Sequence, residues 1–206
     1  MVSKILTSVI MVLHNLSRLI FSPYTAMRKI VQESDYGQVG VIFGLVYLYF
    51  LYANIIRERT LHPFIISKSA LTSFTVFLVT FFLVTSFFYI VGKMLSLKNL
   101  KYRKLVFSFA YSVFPALLWF IATSTLYFLL PPPRTISIPG KMFALVFSTY
   151  SISLFLWRFI LLYLSVRFSL KTTFFKTIAI IALFFIWFIP YSFVMYQLKI
   201  FRIPFI

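Results

Sequence analysis

The stretch of sequence that decides the fold is KYRKLVFSFAYSVFPALLWFIATSTLYFLLPPP, residues 101–133. It opens with three basic residues, runs from Leu105 to Leu130 without a charge, and stops at three prolines. A helix of this length rises about 1.5 Å per residue, enough to cross a hydrocarbon core of roughly 30 Å. A soluble helix this long would carry a polar face, whereas this one carries only Ser, Thr and Tyr as polar residues. We therefore predict a transmembrane span.

The composition of the whole chain points to the same class. Of its 206 residues, 62% are hydrophobic and 11% are charged, whereas about a quarter of a soluble domain is charged. The net charge of +17 comes from Lys and Arg residues that flank apolar runs, so we assign it to the membrane boundary and expect no nucleic-acid partner. Because the chain has no cysteine, disulfides, thiol catalysis and cysteine-bound metals are excluded.

Five apolar runs of spanning length follow an N-terminal segment: about 39–56, 70–91, 105–130, 143–166 and 177–197. The pattern predicts an all-α fold, a polytopic integral membrane helix bundle with five transmembrane helices in residues 37–198 and a short tail, 199–206. We expect Gly92 to cap the second span, since glycine is the commonest residue at a helix C-terminus.

Residues 1–36 form the N-terminal amphipathic and juxtamembrane helical segment of this prediction. Apolar residues such as Val12 and Leu13 fall mainly on one helical face, and His14, Asn15 and Arg18 fall mainly on the other. That pattern is typical of a helix lying in the membrane interface. A second helix is expected to start after Ser22, because proline follows it and is well accepted at the first helical position.

The distribution of Lys and Arg predicts the orientation of the bundle. Twelve lie in the N-terminal region and in the second and fourth loops, and seven lie in the other loops and the tail. The positive-inside rule then places the N-terminus in the cytoplasm and the C-terminus outside. In a prokaryote this would be the cell membrane.

Glycines and prolines mark our candidates for helix packing or kinks. Gly40 and Gly44 form a GxxxG pair in the first span, a spacing that lets helix backbones approach closely, either within this bundle or between two copies. Pro115 in the third span and Pro190 in the fifth each remove a backbone hydrogen bond. The carbonyl of Tyr111, four residues before Pro115, thereby loses its helical partner.

Two sets of basic residues are our candidates for binding lipid or a partner. The first set surrounds the start of the third span: Lys98, Lys101, Arg103 and Lys104. These residues either hold anionic lipid or serve only to set the topology. The second is Arg158, a charge inside the fourth span. We expect Arg158 either to hydrogen-bond the backbone freed by Pro115, or to extend its charged end to the cytoplasmic surface.

The order of these parts resembles the Yip domain family, named for the Ypt-interacting protein. The resemblance covers about residues 19–190 and rests on four segments in sequence: SPYTAMRKI from Ser22, FAYSVFPALLWF from Phe109, LWRFILLYLSV from Leu156 and SLKTTFFKTIAI from Ser169. It implies five spans and a cytoplasmic N-terminus. Eukaryotic members bind Rab-type GTPases and usually carry a long polar N-terminal region. This sequence lacks such a region, so the resemblance favours the prokaryotic branch and argues against GTPase binding.

The chemistry of the chain argues against an enzyme. Its only carboxylates are Glu33, Asp35 and Glu58, all outside the predicted spans, and no hydrolase triad, HExxH, phosphate-loop or dinucleotide motif is present. We therefore expect no catalytic residue, cofactor or metal site. The leading hypothesis is a non-catalytic protein that organises membrane lipids or protein partners, including a second copy. The alternative is a permease or channel component, which helices broken at proline would suit.

Overall fold

The computed structural model describes residues 2–33, 35–57, 62–95, 97, 100–129, 138–198 and 200. These residues form helices connected by short segments, with no strand among them: α1 (Val2–Phe21), α2 (Pro23–Glu33), α3 (Tyr36–Arg57), α4 (Pro63–Met94), α5 (Tyr102–Ser112), α6 (Phe114–Leu129), α7 (Ile138–Leu170) and α8 (Phe174–Gln197). Helices α3, α4, α7 and α8, and α5 taken together with α6, are each long and apolar enough to cross a membrane. The predicted all-α bundle with five spanning segments is confirmed.

The helices run beyond the apolar stretches that predicted them. Helix α4 has 32 residues and α7 has 33, so at 1.5 Å per residue each is about 50 Å long and exceeds the hydrocarbon thickness. The prediction that Gly92 ends the second span is wrong, because α4 continues to Met94. Gly92 instead allows close packing: a Cβ built on it would lie 3.1 Å from Leu170 Cδ2, at the end of α7.

The N-terminal segment consists of two helices that meet at Ser22, and α1 packs through part of the predicted apolar face together with Asn15. Its buried stripe contains Val12, Asn15, Leu16 and Leu19, whereas Leu13 on the predicted apolar face is 60% exposed. The expectation that Asn15 lies on the outer, polar face is therefore wrong. Since α1 turns this stripe toward α2 and α3, its outward apolar side chains are free to contact lipid.

The third span is the centre of the bundle. Every residue of α5 from 105 to 112 is buried, and the helix packs against α2, α3, α4 and α7. Its continuation α6 packs against α3 and α7, while α8 lies at the edge against α7 and α4. The stretch that predicted a membrane span is thus also the one around which the other helices assemble.

Serine side chains join α5 to α7 at close range. Ser108 and Ser169 share a hydrogen bond of 2.8 Å between their hydroxyls, and Ser165 Oγ donates to the Ser108 carbonyl at 3.2 Å. Ser169 also donates to the carbonyl of Lys104 at 3.2 Å. Because lipid offers no hydrophobic drive for helix association, small side chains and interhelical hydrogen bonds of this kind hold the two spans together.

Aromatic rings fill the remaining interfaces. Phe43 of α3 meets Phe81 of α4 edge to face with ring centroids 5.1 Å apart, and Phe87 of α4 stacks on Trp187 of α8 at 5.0 Å. Such ring pairs contribute about 0.5–1.5 kcal/mol beyond the area they bury. They fix α4 between the first and the last span.

Candidate functional site

A buried polar cluster joins the N-terminal helices to the spans. The amide nitrogen of Asn15 lies 3.2 Å from Gln38 Oε1, 3.3 Å from the Tyr111 hydroxyl and 3.3 Å from Glu33 Oε2. The Tyr111 hydroxyl in turn donates to Gln38 Oε1. These four residues, the Asn15 cluster, come from α1, α2, α3 and α5. One contact network therefore links both N-terminal helices to the first and third spans.

The Asn15 cluster is enclosed and internally satisfied. Asn15, Gln38 and Tyr111 are 2%, 1% and 0% exposed. The two amide hydrogens of Asn15 are shared among three acceptors, and the Tyr111 hydroxyl both donates and accepts. Glu33 reaches the surface, where it lies 3.6 Å from the Lys29 ammonium. Because a low-dielectric site makes unpaired polar groups costly and paired ones rigid, this arrangement holds helices in register.

In the described part of the chain, basic side chains lie mainly at one end of the bundle, where α3, α5 and α8 begin and α4 and α7 end. We call this the basic end. Its exposed basic side chains in the described part of the chain are Arg28, Lys29, Lys93, Lys101, Arg103, Lys171 and Lys176. Of the four residues predicted around the start of the third span, Lys101 and Arg103 are exposed, Lys104 is half-buried, and Lys98 lies outside the described residues.

Two arginines contact aromatic rings at the basic end. The Arg103 guanidinium lies 4.5 Å from the ring centroid of Tyr36 at the start of α3. Arg167 donates to the Tyr163 hydroxyl at 3.0 Å and lies 5.9 Å from the ring of Tyr24 in α2. Cation–π contacts of this kind are worth about 0.5–1 kcal/mol at exposed sites. The first contact joins α5 to α3, and the second joins the end of α7 to α2.

Arg158 and Pro115 line the same cleft between α6 and α7. Its other walls are Ala116, Trp119, Ser151, Leu154 and Phe155. Trp119 Nε1 donates to Ser151 Oγ at 2.9 Å, which closes the cleft on the side away from the basic end. Among the residues that the structure describes, no hydrogen bond joins Arg158 to the Tyr111 carbonyl. The two spans are neighbours at the predicted depth, but the predicted bond is not formed.

The two candidate kink prolines occupy different positions in their helices. The third span is interrupted at Val113, between α5 and α6, and Pro115 is the second residue of α6. Proline is well accepted there because the first turn of a helix has no use for its missing N–H. Pro190 lies inside α8, which continues to Gln197. Only the third span is therefore divided into two helices.

The predicted glycine pair does not pack within the bundle. A Cβ built on Gly40 or Gly44 would meet no atom of the described residues within 4 Å. The prediction that these two glycines allow close packing inside the bundle is therefore wrong. Self-association through them stays a prediction. The close approach falls one turn earlier, at Gly37, where a Cβ would lie 2.6 Å from Ser8 Oγ of α1.

Reasoning from the sequence missed Asn15, Gln38 and Glu33 as a group. One signal could have found them: Asn15 sits at helical spacing within the stripe of Val12, Leu16 and Leu19, where a polar residue implies a buried partner. The partners themselves are 18 to 96 residues away in the chain. Within the described ranges no three His, Cys, Asp or Glu side chains come together to hold a metal ion.

The geometry therefore offers three features: the Asn15 cluster, the basic end and the Arg158 cleft. Comparison of the chain with known protein families, with curated proteins and with solved structures finds no match.

Proposed function

We propose that the chain is a non-catalytic, multi-pass membrane protein of the Yip type that organises anionic lipids or membrane partners at its basic end. We place this end at the cytoplasmic face. The observation that carries the proposal is the attachment of α1 and α2 to the spans by the Asn15 cluster, which holds α2, the helix of Arg28 and Lys29, against α5, the helix of Arg103. A self-associated form through the open glycines of α3 belongs to the same proposal.

The physical basis is a preorganised basic surface at the membrane boundary. Each Lys or Arg near an anionic leaflet contributes about 1 kcal/mol to the attraction, and this attraction is screened by salt. Since the N-terminal helices are already held by buried hydrogen bonds, binding orders little additional chain and costs correspondingly less. The only carboxylates in the described part of this end are Glu33 and Asp35. Glu33 pairs with Lys29, and Asp35 accepts from the Gly37 amide at 3.1 Å.

The test is retention of anionic lipid by a neutralised variant. The variant changes four residues to Gln: Lys98, Lys101, Arg103 and Lys104. We expect the purified variant to retain fewer anionic lipids than the wild type in native mass spectra. A matched control neutralises Lys68 and Lys141, which are exposed at the opposite end of the bundle. Unchanged lipid in the fourfold variant, or an equal loss in the control, would contradict the proposal.

The orientation is tested with single cysteines, which the cysteine-free chain allows without background. We expect an impermeant thiol reagent added to intact cells to label Ser137→Cys in the third loop and to spare Ser96→Cys in the second. Permeabilised cells should label both. The reverse pattern on intact cells would place the basic end outside.

A second candidate function is a permease for a small anionic solute. The divided third span and the charged cleft beside it favour this candidate, because discontinuous helices line transport sites in many carriers. Flux of a labelled anion into vesicles reconstituted with the pure protein separates the two functions. Capture of native partners by pull-down from membranes, without flux, is the result expected for the organising role.

A further inference from the structure

Arg158 is a cation inside a span, and no carboxylate of the described residues forms an ion pair with it. It lies about 18 Å from the end of α7 at Leu170 and about 27 Å from Gly140, at 1.5 Å per residue. All three carboxylates of the chain lie outside the five spanning segments. An unpaired charge at such a depth costs about 2.5–3.5 kcal/mol on insertion scales, so an intramembrane Arg marks a functional site.

Arg158 is half-buried and lines the cleft between α6 and α7. It belongs to a stripe at helical spacing, Leu154, Arg158, Leu161 and Ser165, and the last two residues are fully buried. The walls contributed by α7 all precede Arg158 in the chain, and Trp119 and Ser151 close the far side. The cleft thus extends from Arg158 away from the basic end. This placement favours a guanidinium that lies in the cleft over one that reaches back to the surface.

We propose that this cleft binds an oxyanion, a phosphate or carboxylate group, through the Arg158 guanidinium. The guanidinium is planar, permanently charged and able to donate two parallel hydrogen bonds to such a group. The remaining walls are mostly apolar, and Phe155 on the rim is 57% exposed. An acyl chain or another apolar part of the ligand would fit against these walls. This inference goes beyond the leading proposal, which concerns the basic end, and it gives the cleft of the second candidate function a binding residue.

The test uses three probes of the same chemistry on protein in nanodiscs of zwitterionic lipid. Phosphatidylglycerol mixed into the disc tests a lipid headgroup, radiolabelled inorganic phosphate tests a free anion, and radiolabelled palmitate tests a carboxylate. We expect the wild type to bind at least one probe at about one per chain. Arg158→Gln should weaken that binding at least about tenfold. Arg158→Lys should restore part of it, because lysine supplies the charge but not the two parallel hydrogen bonds of a guanidinium.

Two controls separate this site from the basic end and from general damage. Lys141→Gln removes an exposed charge from the same helix, and Lys101→Gln removes one from the basic end. Both variants should bind the probe of the cleft as the wild type does. The thermal midpoint of Arg158→Gln without ligand reports whether the bundle is intact. The proposal is overturned if no probe binds, if Arg158→Gln binds like the wild type, or if Lys101→Gln weakens binding as much as Arg158→Gln does.

Discussion

Replacing Tyr111 by Phe removes a single buried hydroxyl from the Asn15 cluster and leaves the ring in place. The hydroxyl donates to Gln38 Oε1 and lies 3.3 Å from the Asn15 amide nitrogen. After the change, Gln38 Oε1 still has Asn15 as a donor at 3.2 Å, and Asn15 still has Glu33 as an acceptor at 3.3 Å. No polar group of the cluster is left without a partner. We therefore expect a loss of only about 1 kcal/mol in the free energy of unfolding.

Replacing Gln38 by Met should lower the free energy of unfolding by more than Tyr111→Phe does, although Met and Gln have similar lengths. The Tyr111 hydroxyl is 0% exposed, and its other neighbour in the cluster, the Asn15 amide, is a donor. In Gln38→Met, the hydrogen of the Tyr111 hydroxyl would therefore have no acceptor in the cluster. Leaving a buried polar group without a hydrogen-bond partner costs about 1–3 kcal/mol, whereas removing both partners of a hydrogen bond is nearly neutral. The double variant should accordingly be more stable than Gln38→Met alone.

The measurement is the free energy of unfolding of the four proteins of this double-mutant cycle in one detergent, from reversible denaturant titrations. We expect a coupling of about 0.5–3 kcal/mol between the two positions. Tyr52→Phe is the matched control, because its hydroxyl bonds Thr125 Oγ1 at 2.8 Å at an exposed site. It should cost less than Tyr111→Phe. Additive losses at Tyr111 and Gln38, or equal losses at Tyr111 and Tyr52, would refute the reasoning.

Two further predictions test the placement of α1 and the end of α7. Ser8→Cys with Gly37→Cys should oxidise to a disulfide, because a Cβ on Gly37 would lie 3.5 Å from Ser8 Cβ, while Ser8→Cys with Gly40→Cys should stay reduced on non-reducing gels. Failure of the first pair would mean that α1 does not dock on α3. Lys171 has a left-handed φ of 52° after the end of α7, so Lys171→Gly should raise the free energy of unfolding by about 0.5–1 kcal/mol. Lys171→Ala, which loses the same charge and keeps a Cβ, should give no such gain.

Hydropathy alone predicts five helices that are long and apolar enough to cross a membrane, and the structure has them. Every backbone polar group within a bilayer must be satisfied by its own helix, so an uncharged run of spanning length has few alternatives. The start of α2 after Ser22 and the interruption of the third span near Pro115 are also set by residues close in sequence. Both depend on proline chemistry, which acts within one turn of the chain.

Tertiary structure decides which face of each spanning helix packs. In a membrane the inward and outward faces are both apolar, so periodicity does not separate them as it does in a soluble protein. Asn15 is buried because Gln38 and Tyr111 meet it there. Gly40 and Gly44 face open space although their spacing suits a helix contact. These outcomes depend on partners from distant parts of the chain, and no local pattern carries that information.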